Sequence, residues 1–470
     1  MDPEKIKKLR SIKILVSEVL MVFIVIITVI ILALIVSGYW VNSEFEVERQ
    51  GMLQVSSVPT GANVMIDGET SWLQRTNTSK VLATGEHSVT LTKEGYDSWS
   101  KTVNIAEGLL YRLHYPRLFL EDRVIEKSYY LPETTFATIS PGSELLLITN
   151  NTTNWQLINL TEENLKPRSI DISNVFQSVS LTPGSTIGLF TGSIIDADWD
   201  HDETRVLFKV QNDTQIEWVL LDVREPQNSI NVTREFGSNF SNIQILDNSA
   251  NNLLAIQNGN LHKIDVSGKS LSAVIVERIV DYDHYENEIV YVSQQPESEL
   301  TPMYEVGLTK IGDNNKTTVF HIAQPVKVAL LKFYDQKYIS VLKDNHLTLY
   351  NKDNIEETTE YTISFNPANM KVGHDGEFII LSESNHLATI DMEAAKAIEW
   401  QIENVNYDWL DNDMFYDVSE GDLIVYDYDG LNRRNLAKNV SNHFPVTITD
   451  NKWLYYFSDD YLVREWLIKR

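Results

Sequence analysis

Apolar and polar positions fall into three regimes along the chain. In the first, Val19 to Trp40 forms an uncharged run of 22 residues dominated by Leu, Ile and Val. It lacks the 3.6-residue alternation of an amphipathic helix, so it predicts a helix that is apolar on all sides. At 1.5 Å rise per residue its length matches a hydrocarbon core of about 30 Å. The span expected is 14–40, with Val19 near its start and Tyr39 and Trp40 closing it as interfacial aromatics. A cleaved signal peptide has an apolar region of only about 7–15 residues followed by small residues at the cleavage site. Nothing of that kind follows this run, so it is expected to persist as an anchor.

In the second regime, residues 52–118, short alternating runs are separated by turn residues. Val55 to Val58 leads into Pro59-Thr60-Gly61-Ala62, and Val64 and Ile66 then alternate into Asp67-Gly68, a hairpin signal. Gly85 to Thr92 alternates again before Gly95-Tyr96, and Lys101 to Ile105 supplies another strand. Pro-x-Gly-Ala, then Val-x-Ile-Asp-Gly, Gly-x-His-x-Val and Gly-Tyr, in this order, resembles the PEGA domain of bacterial and archaeal surface proteins. The residues carrying the motif are Pro59, Gly61, Ala62, Asp67, Gly68, Gly95 and Tyr96. Thr60 stands where the family's motif has Glu, and Trp72 to Thr78 replaces its usual Thr-Pro. The resemblance implies a small β-sandwich, with fold transferring more safely than function.

The third regime, 119–470, is repetitive. One apolar strand recurs eight times, at Glu144–Thr149, Arg205–Val210, Asn252–Gln257, Glu288–Ser293, Lys337–Leu342, Glu377–Ser382, Asp413–Val418 and Lys452–Phe457. A following strand starts at Leu261, Leu347, Leu387, Leu423 and Leu462, which sets a period close to 40 residues. Four antiparallel strands need about 40 residues, and such a sheet repeated around an axis is a propeller blade. Upstream of the recurring strand lies an acidic segment: Asp198-Trp199-Asp200, Asp281-Tyr282-Asp283 and Asp408-Trp409. The pattern resembles TolB-type propellers, whose turn before an apolar strand has degenerate counterparts in Asp198 to Asp202 and Ser140 to Ser143. Seven or eight blades are expected, with 165–195 an insertion or a weakly marked blade.

Charge refines this picture. Lys5, Lys7, Lys8, Arg10 and Lys13 precede the apolar run, against Arg49 alone at a comparable distance after it. The N-terminus is therefore expected in the cytoplasm and the rest outside. The first 50 residues carry six basic and six acidic side chains, so the net charge of −27 belongs to residues 51–470. An acidic surface argues against nucleic acid as a partner and favours solubility. With no cysteine, disulfides, thiol catalysis and thiolate metal sites are excluded. The organisation expected is a basic tail (1–13), a transmembrane helix (14–40), a linker (41–51), a PEGA-like β-sandwich (52–118) and a β-propeller (119–470): an all-β ectodomain on one membrane helix.

No catalytic, cofactor or metal site is expected. Asp196, Asp198, Asp200 and Asp202 alternate like calcium ligands, but His201 and Leu207 stand where a calcium loop needs Gly and Glu. Since the acidic segment repeats, Asp198, Trp199, Asp283, Asp408 and Trp409 read as a structural turn whose carboxylates cap amides. Tyr96 and Trp99 read as packing aromatics rather than a sugar platform, and His87 as a strand residue. Gly268-Lys269-Ser270 lacks the strand and helix of a phosphate loop, and no nucleophile elbow or His-Glu-x-x-His pair appears. The strand pattern runs to Arg470, so no hydrolase domain is expected beyond it. The expected function is display, by a single-pass plasma-membrane protein with an extracellular or periplasmic head that binds an envelope protein or glycan without catalysis. Two alternatives stay open: a polymer hydrolase with Asp198, Asp283 and Asp408 at the propeller centre, and a structural spacer.

Overall fold

The computed structural model describes residues 18–30, 32–33, 39–41, 47–150, 155–172, 175, 193–212, 215–246, 251–296, 302–313, 315–373, 376–403 and 407–468. It divides into two compact units, residues 1–122 and 123–470.

In the first unit, residues 18–30 are helical, and their apolar side chains, Val19 among them, are exposed. Among the described residues no helix is long and apolar enough to cross a membrane. The helix expected to reach Trp40 stops earlier, because Tyr39 and Trp40 lie in strand β1 (Tyr39–Val41), paired with β2 (Val47–Val55). Two aromatics followed by Val suit a strand better than a helix terminus. The expected linker is likewise partly strand, since β2 begins at Val47. The basic tail lies outside the described residues.

Six further strands complete this unit: β3 (Asn63–Ile66), β4 (Glu69–Arg75), β5 (Thr78–Ala83), β6 (Gly85–Thr92), β7 (Trp99–Ile105) and β8 (Leu110–Leu113). One sheet has the order β4-β3-β6-β7, and the other joins β2 to β1, β5 and β8. Val64, Ile66, Leu91 and Val103 from the first sheet and Leu53, Val55, Leu82 and Leu113 from the second are buried, which makes a sandwich. Asp67 and Gly68 both have positive φ (53° and 79°), the geometry of the two-residue hairpin turn that the sequence signals. Gly51 is required by close approach: a Cβ there would lie 2.4 Å from the Ala106 carbonyl oxygen.

In the second unit, eight four-stranded antiparallel sheets follow one another among the described residues. Blades 1 to 7 span residues 136–170, 193–231, 240–271, 279–322, 327–362, 369–401 and 407–437. Blade 8 takes three strands from 447–466 and its fourth from β9 (Ile125–Tyr130), which pairs with Tyr461–Trp466. The eight recurring strands of the sequence are the second strands of these blades. They carry the longest Leu, Ile and Val runs because neighbours cover both their faces. The apolar cores lie between blades: Leu147 and Trp155 of blade 1 pack with Phe208 and Val219 of blade 2, and Leu146 and Ile158 pack with Tyr455 and Phe457 of blade 8. Of 165–195, residues 168–170 are the fourth strand of blade 1, and most of the remainder lies outside the described residues.

Candidate functional site

The first strand of each blade lies towards the propeller axis. The first strands of blades 4 and 5 bond to one another, whereas fourth strands such as Asn354–Thr362 are largely solvent-exposed. The acidic segments sit on these inner strands: Asp198 and Trp199 in Ser193–Trp199, Asp283 in Ile279–Tyr285, and Asp408 and Trp409 in Tyr407–Trp409. Their expected equivalence holds in register. Asp198, Asp283 and Asp408 pair with Leu207, Val290 and Tyr416, each the third residue of its blade's second strand.

Their expected place in a turn does not hold. The turn carboxylate in blade 2 is the buried Asp200, whose Oδ1 accepts the amides of Thr204 (2.6 Å) and Arg205 (2.8 Å). In blade 1, Ser140 Oγ does the same for Leu145 (3.0 Å). Aspartates are rare enough in strands that the sequence pattern favoured a turn. The structural reason they occur here is the exposed inner edge.

Blade 4 shows what such carboxylates do. Asp281 Oδ2 accepts the amide of Val328 and Asp283 Oδ2 that of Leu330, both at 2.9 Å, on the first strand of blade 5. Residues two apart share a face of one strand, so the pair supplies acceptors to alternate amides that have no fifth strand to bond. Burial pushes the Asp281 carboxyl above the usual range, and the nearby Asp283 charge adds to this against the Val328 amide. In blade 7, Asp408 Oδ1 accepts the following amide of Trp409 (2.8 Å), with Lys371 Nζ of blade 6 at 3.9 Å. Trp199 donates to Thr138 Oγ1 of blade 1 (3.1 Å), and Trp409 stacks on Phe415 with centroids 4.1 Å apart.

Three consecutive inner strands also bulge at one position. The register shifts between Ile194 and Asp196, Phe240 and Asn242, and Ile279 and Asp281, leaving Ile195, Ser241 and Val280 exposed in blades 2, 3 and 4. A bulge re-aims a side chain out of the ladder. The signal was present in the sequence: Ile194-Ile195-Asp196 and Ile279-Val280-Asp281 each double an apolar residue before the acid.

A separate concave feature lies at the seam of blades 8 and 1. It is a cleft of about 490 Å³, lined among others by Tyr130, Pro132, Thr134, Asn150, Gln156 and Pro167. Tyr130 is 62% exposed, and its ring lies against that of its register partner Tyr461, centroids 5.3 Å apart. No sequence motif marks this site.

In the first unit the motif residues are structural. Thr76 Oγ1 accepts the amides of Gly61 (2.8 Å) and Ala62 (3.1 Å). Pro59 enters the same turn, where Ser57 Oγ donates to its carbonyl (2.8 Å). Asp67 Oδ1 accepts the Ser88 amide (2.9 Å) and Oδ2 meets His87 Nδ1 at 2.6 Å, while His87 Nε2 faces the Ala83 carbonyl at 2.8 Å. Hydrogen bonds from His87 and the Ser88 amide hold the Asp67 carboxyl below its usual range. Burial opposes the imidazolium, but its two acceptors outweigh that and raise the His87 pKa. Gly95 has a φ of 81°, Tyr96 is buried, and Trp99 is fully buried edge-on to Tyr115, which removes the sugar-platform reading.

Residues 50–116 are a PEGA domain by family match. No curated protein matches the chain. Among solved structures, an oligogalacturonate lyase in complex with manganese aligns at 11% identity over 73% of this chain and 98% of its own, TM-score 0.41. Hsv2p of Kluyveromyces lactis aligns at 10% identity over 63% and 92%, TM-score 0.40. The Cps50 (Swd1) β-propeller domain of Myceliophteria thermophila aligns at 8% identity over 74% and 100%, TM-score 0.40. The strand pairing, not these similarities, defines the second unit as an eight-bladed propeller. The chain thus joins a PEGA domain to a β-propeller.

Proposed function

We propose that this is a single-pass membrane protein of the cell envelope whose propeller recognises an envelope protein or glycan without catalysis. The uncharged apolar run that starts at Val19 and precedes the strand at Tyr39, with the basic residues before it, supports an anchor with a cytoplasmic N-terminus and an external head. The observation that carries recognition over hydrolysis is the use made of the axial carboxylates. Asp283, with Asp281, is engaged by amides of blade 5, and Asp198 and Asp408 belong to blades 2 and 7. Paired-acid glycoside hydrolysis needs two carboxyl groups about 5–10 Å apart across one bond. Recognition needs only a rigid frame with side chains aimed out of it, which the bulges of blades 2 to 4 and the seam cleft supply.

The test is capture with the full chain, solubilised in a detergent without a sugar headgroup and mixed with solubilised envelope. Recovery of a defined envelope component supports the reading. Recovery of none, from envelope in which the chain is native, overturns it.

A further inference from the structure

We infer that the cleft between blades 8 and 1 is a subsite for an uncharged saccharide, an inference that rests on the recognition reading above and names its ligand class. The chain is strongly acidic, yet none of the residues lining this cleft carries a charge. A cation gains no counter-charge there, and an anion finds no basic partner against a negative background. What the cleft offers is neutral: the Tyr130 ring, two prolines, the Thr134 hydroxyl, and the amides of Asn150 and Gln156.

These groups suit a pyranose, which presents an apolar face of C–H groups and a rim of hydroxyls. Tyr130 is a strand-borne aromatic braced by Tyr461, so its exposed face is fixed before any ligand arrives. Aromatic rings combine apolar area with few rotatable bonds, which limits the entropy lost on binding. Amide side chains both donate and accept, matching hydroxyls that do the same. Asn150 Oδ1 is buried at the cleft with no hydrogen-bond partner among the described residues, and Gln156 likewise makes no side-chain hydrogen bond to one. A buried acceptor of this kind is costly unless a ligand hydroxyl or bridging water satisfies it. The volume of about 490 Å³ falls in the range of roughly 300–1,000 Å³ typical of small-molecule sites.

The experiment titrates the full chain, in a zwitterionic detergent, with cellobiose, N,N′-diacetylchitobiose and digalacturonate, following the saccharide protons by saturation-transfer NMR. A neutral disaccharide is expected to bind and digalacturonate to bind more weakly. Tyr130→Ala and Gln156→Leu are each expected to weaken binding about tenfold or more, and Tyr130→Phe to preserve it. Tyr130 is mostly exposed, and an unchanged thermal midpoint confirms that its variants fold. Digalacturonate binding as tightly as the neutral sugars overturns the inference, as does binding indifferent to Tyr130→Ala and Gln156→Leu. If no saccharide binds while capture still recovers an envelope protein, this inference falls and the recognition reading stands. If neither is seen, both fall.

Discussion

Arg464, on the third strand of the last blade, is completely buried, and its Nε lies 3.1 Å from Glu126 Oε2 of β9 in an ion pair without hydrogen-bond geometry. The same guanidinium donates to the carbonyls of Glu162 (3.1 Å) and Glu163 (2.9 Å) in blade 1 and lies 4.3 Å from the Trp453 ring centre. One side chain thus joins the first propeller strand, the last blade and the first blade. Removing it leaves Glu126 without this partner and the carbonyls of Glu162 and Glu163 without this donor. Arg464→Met is expected to destabilise the propeller by about 3–5 kcal/mol, read as a lowered denaturant midpoint, with hydrogen exchange in 125–130 accelerating first.

A milder substitution tests the axial carboxylates. Asn at 281 keeps an acceptor for Val328 and removes a charge that burial disfavours. With its folded pKa raised, the acid contributes stability that is present at low pH and lost as pH rises through that pKa. Asp281→Asn is therefore expected to match the parent near pH 4 and to be the more stable of the two at pH 7. Asp283→Leu, which deletes the acceptor for Leu330, is expected to cost about 1–3 kcal/mol at both pH values. Paired melting curves at the two pH values give the comparison.

Glu288 of blade 4 has the opposite sign. Burial would raise its pKa, but the ammonium groups of Lys352 (2.9 Å) and Lys337 (3.0 Å) outweigh that and bring it down to about 2. The stability it contributes is present above its ordinary value of 4.5 and is lost as pH falls through about 2. Glu288→Gln is expected to lose up to about 3 kcal/mol at pH 7 and to flatten the acid limb of the stability curve. A parallel acid limb in the two proteins would contradict this.

In the PEGA domain, the His87 contribution is full below pH 6.5 and fades as pH rises through the raised folded value. That of Asp67 is full above pH 3.8 and fades as pH falls through its lowered one. Both therefore hold between those limits. Histidine NMR titration of the full chain is expected to place His87 above 6.5 in the parent and lower in Asp67→Asn. An unchanged His87 titration in that variant would separate the two residues.

Period and turn chemistry account for what was legible in the sequence. The eight second strands declared themselves because both faces are covered, as in Trp453–Ser458 and Phe378–Glu383, and Asp67-Gly68 because only a two-residue hairpin asks for two positive φ values in a row. β9 was not legible: Ile125–Tyr130 alternates weakly, and its partner lies more than 300 residues away. Asp198, Asp283 and Asp408 stand out as repeats but read as turn residues, since composition cannot tell a carboxylate capping its own turn from one reaching the next blade. Trp40 reads as part of the helix because it continues an apolar run, although Gly38 just before Tyr39 is the signal at which the helix can end. The seam cleft has no signature because its walls come from separate strands, Tyr130 from β9, which closes the last blade, and Gln156 from blade 1.

The central claim is recognition without turnover, and the mass of the captured envelope ligand after prolonged incubation with the full chain tests it most directly. An unchanged mass, with bound ligand recovered intact, is the result expected. Ligand shortened by the parent protein but left whole by Asp198→Ala or Asp408→Ala would contradict it and make the propeller axis an active site.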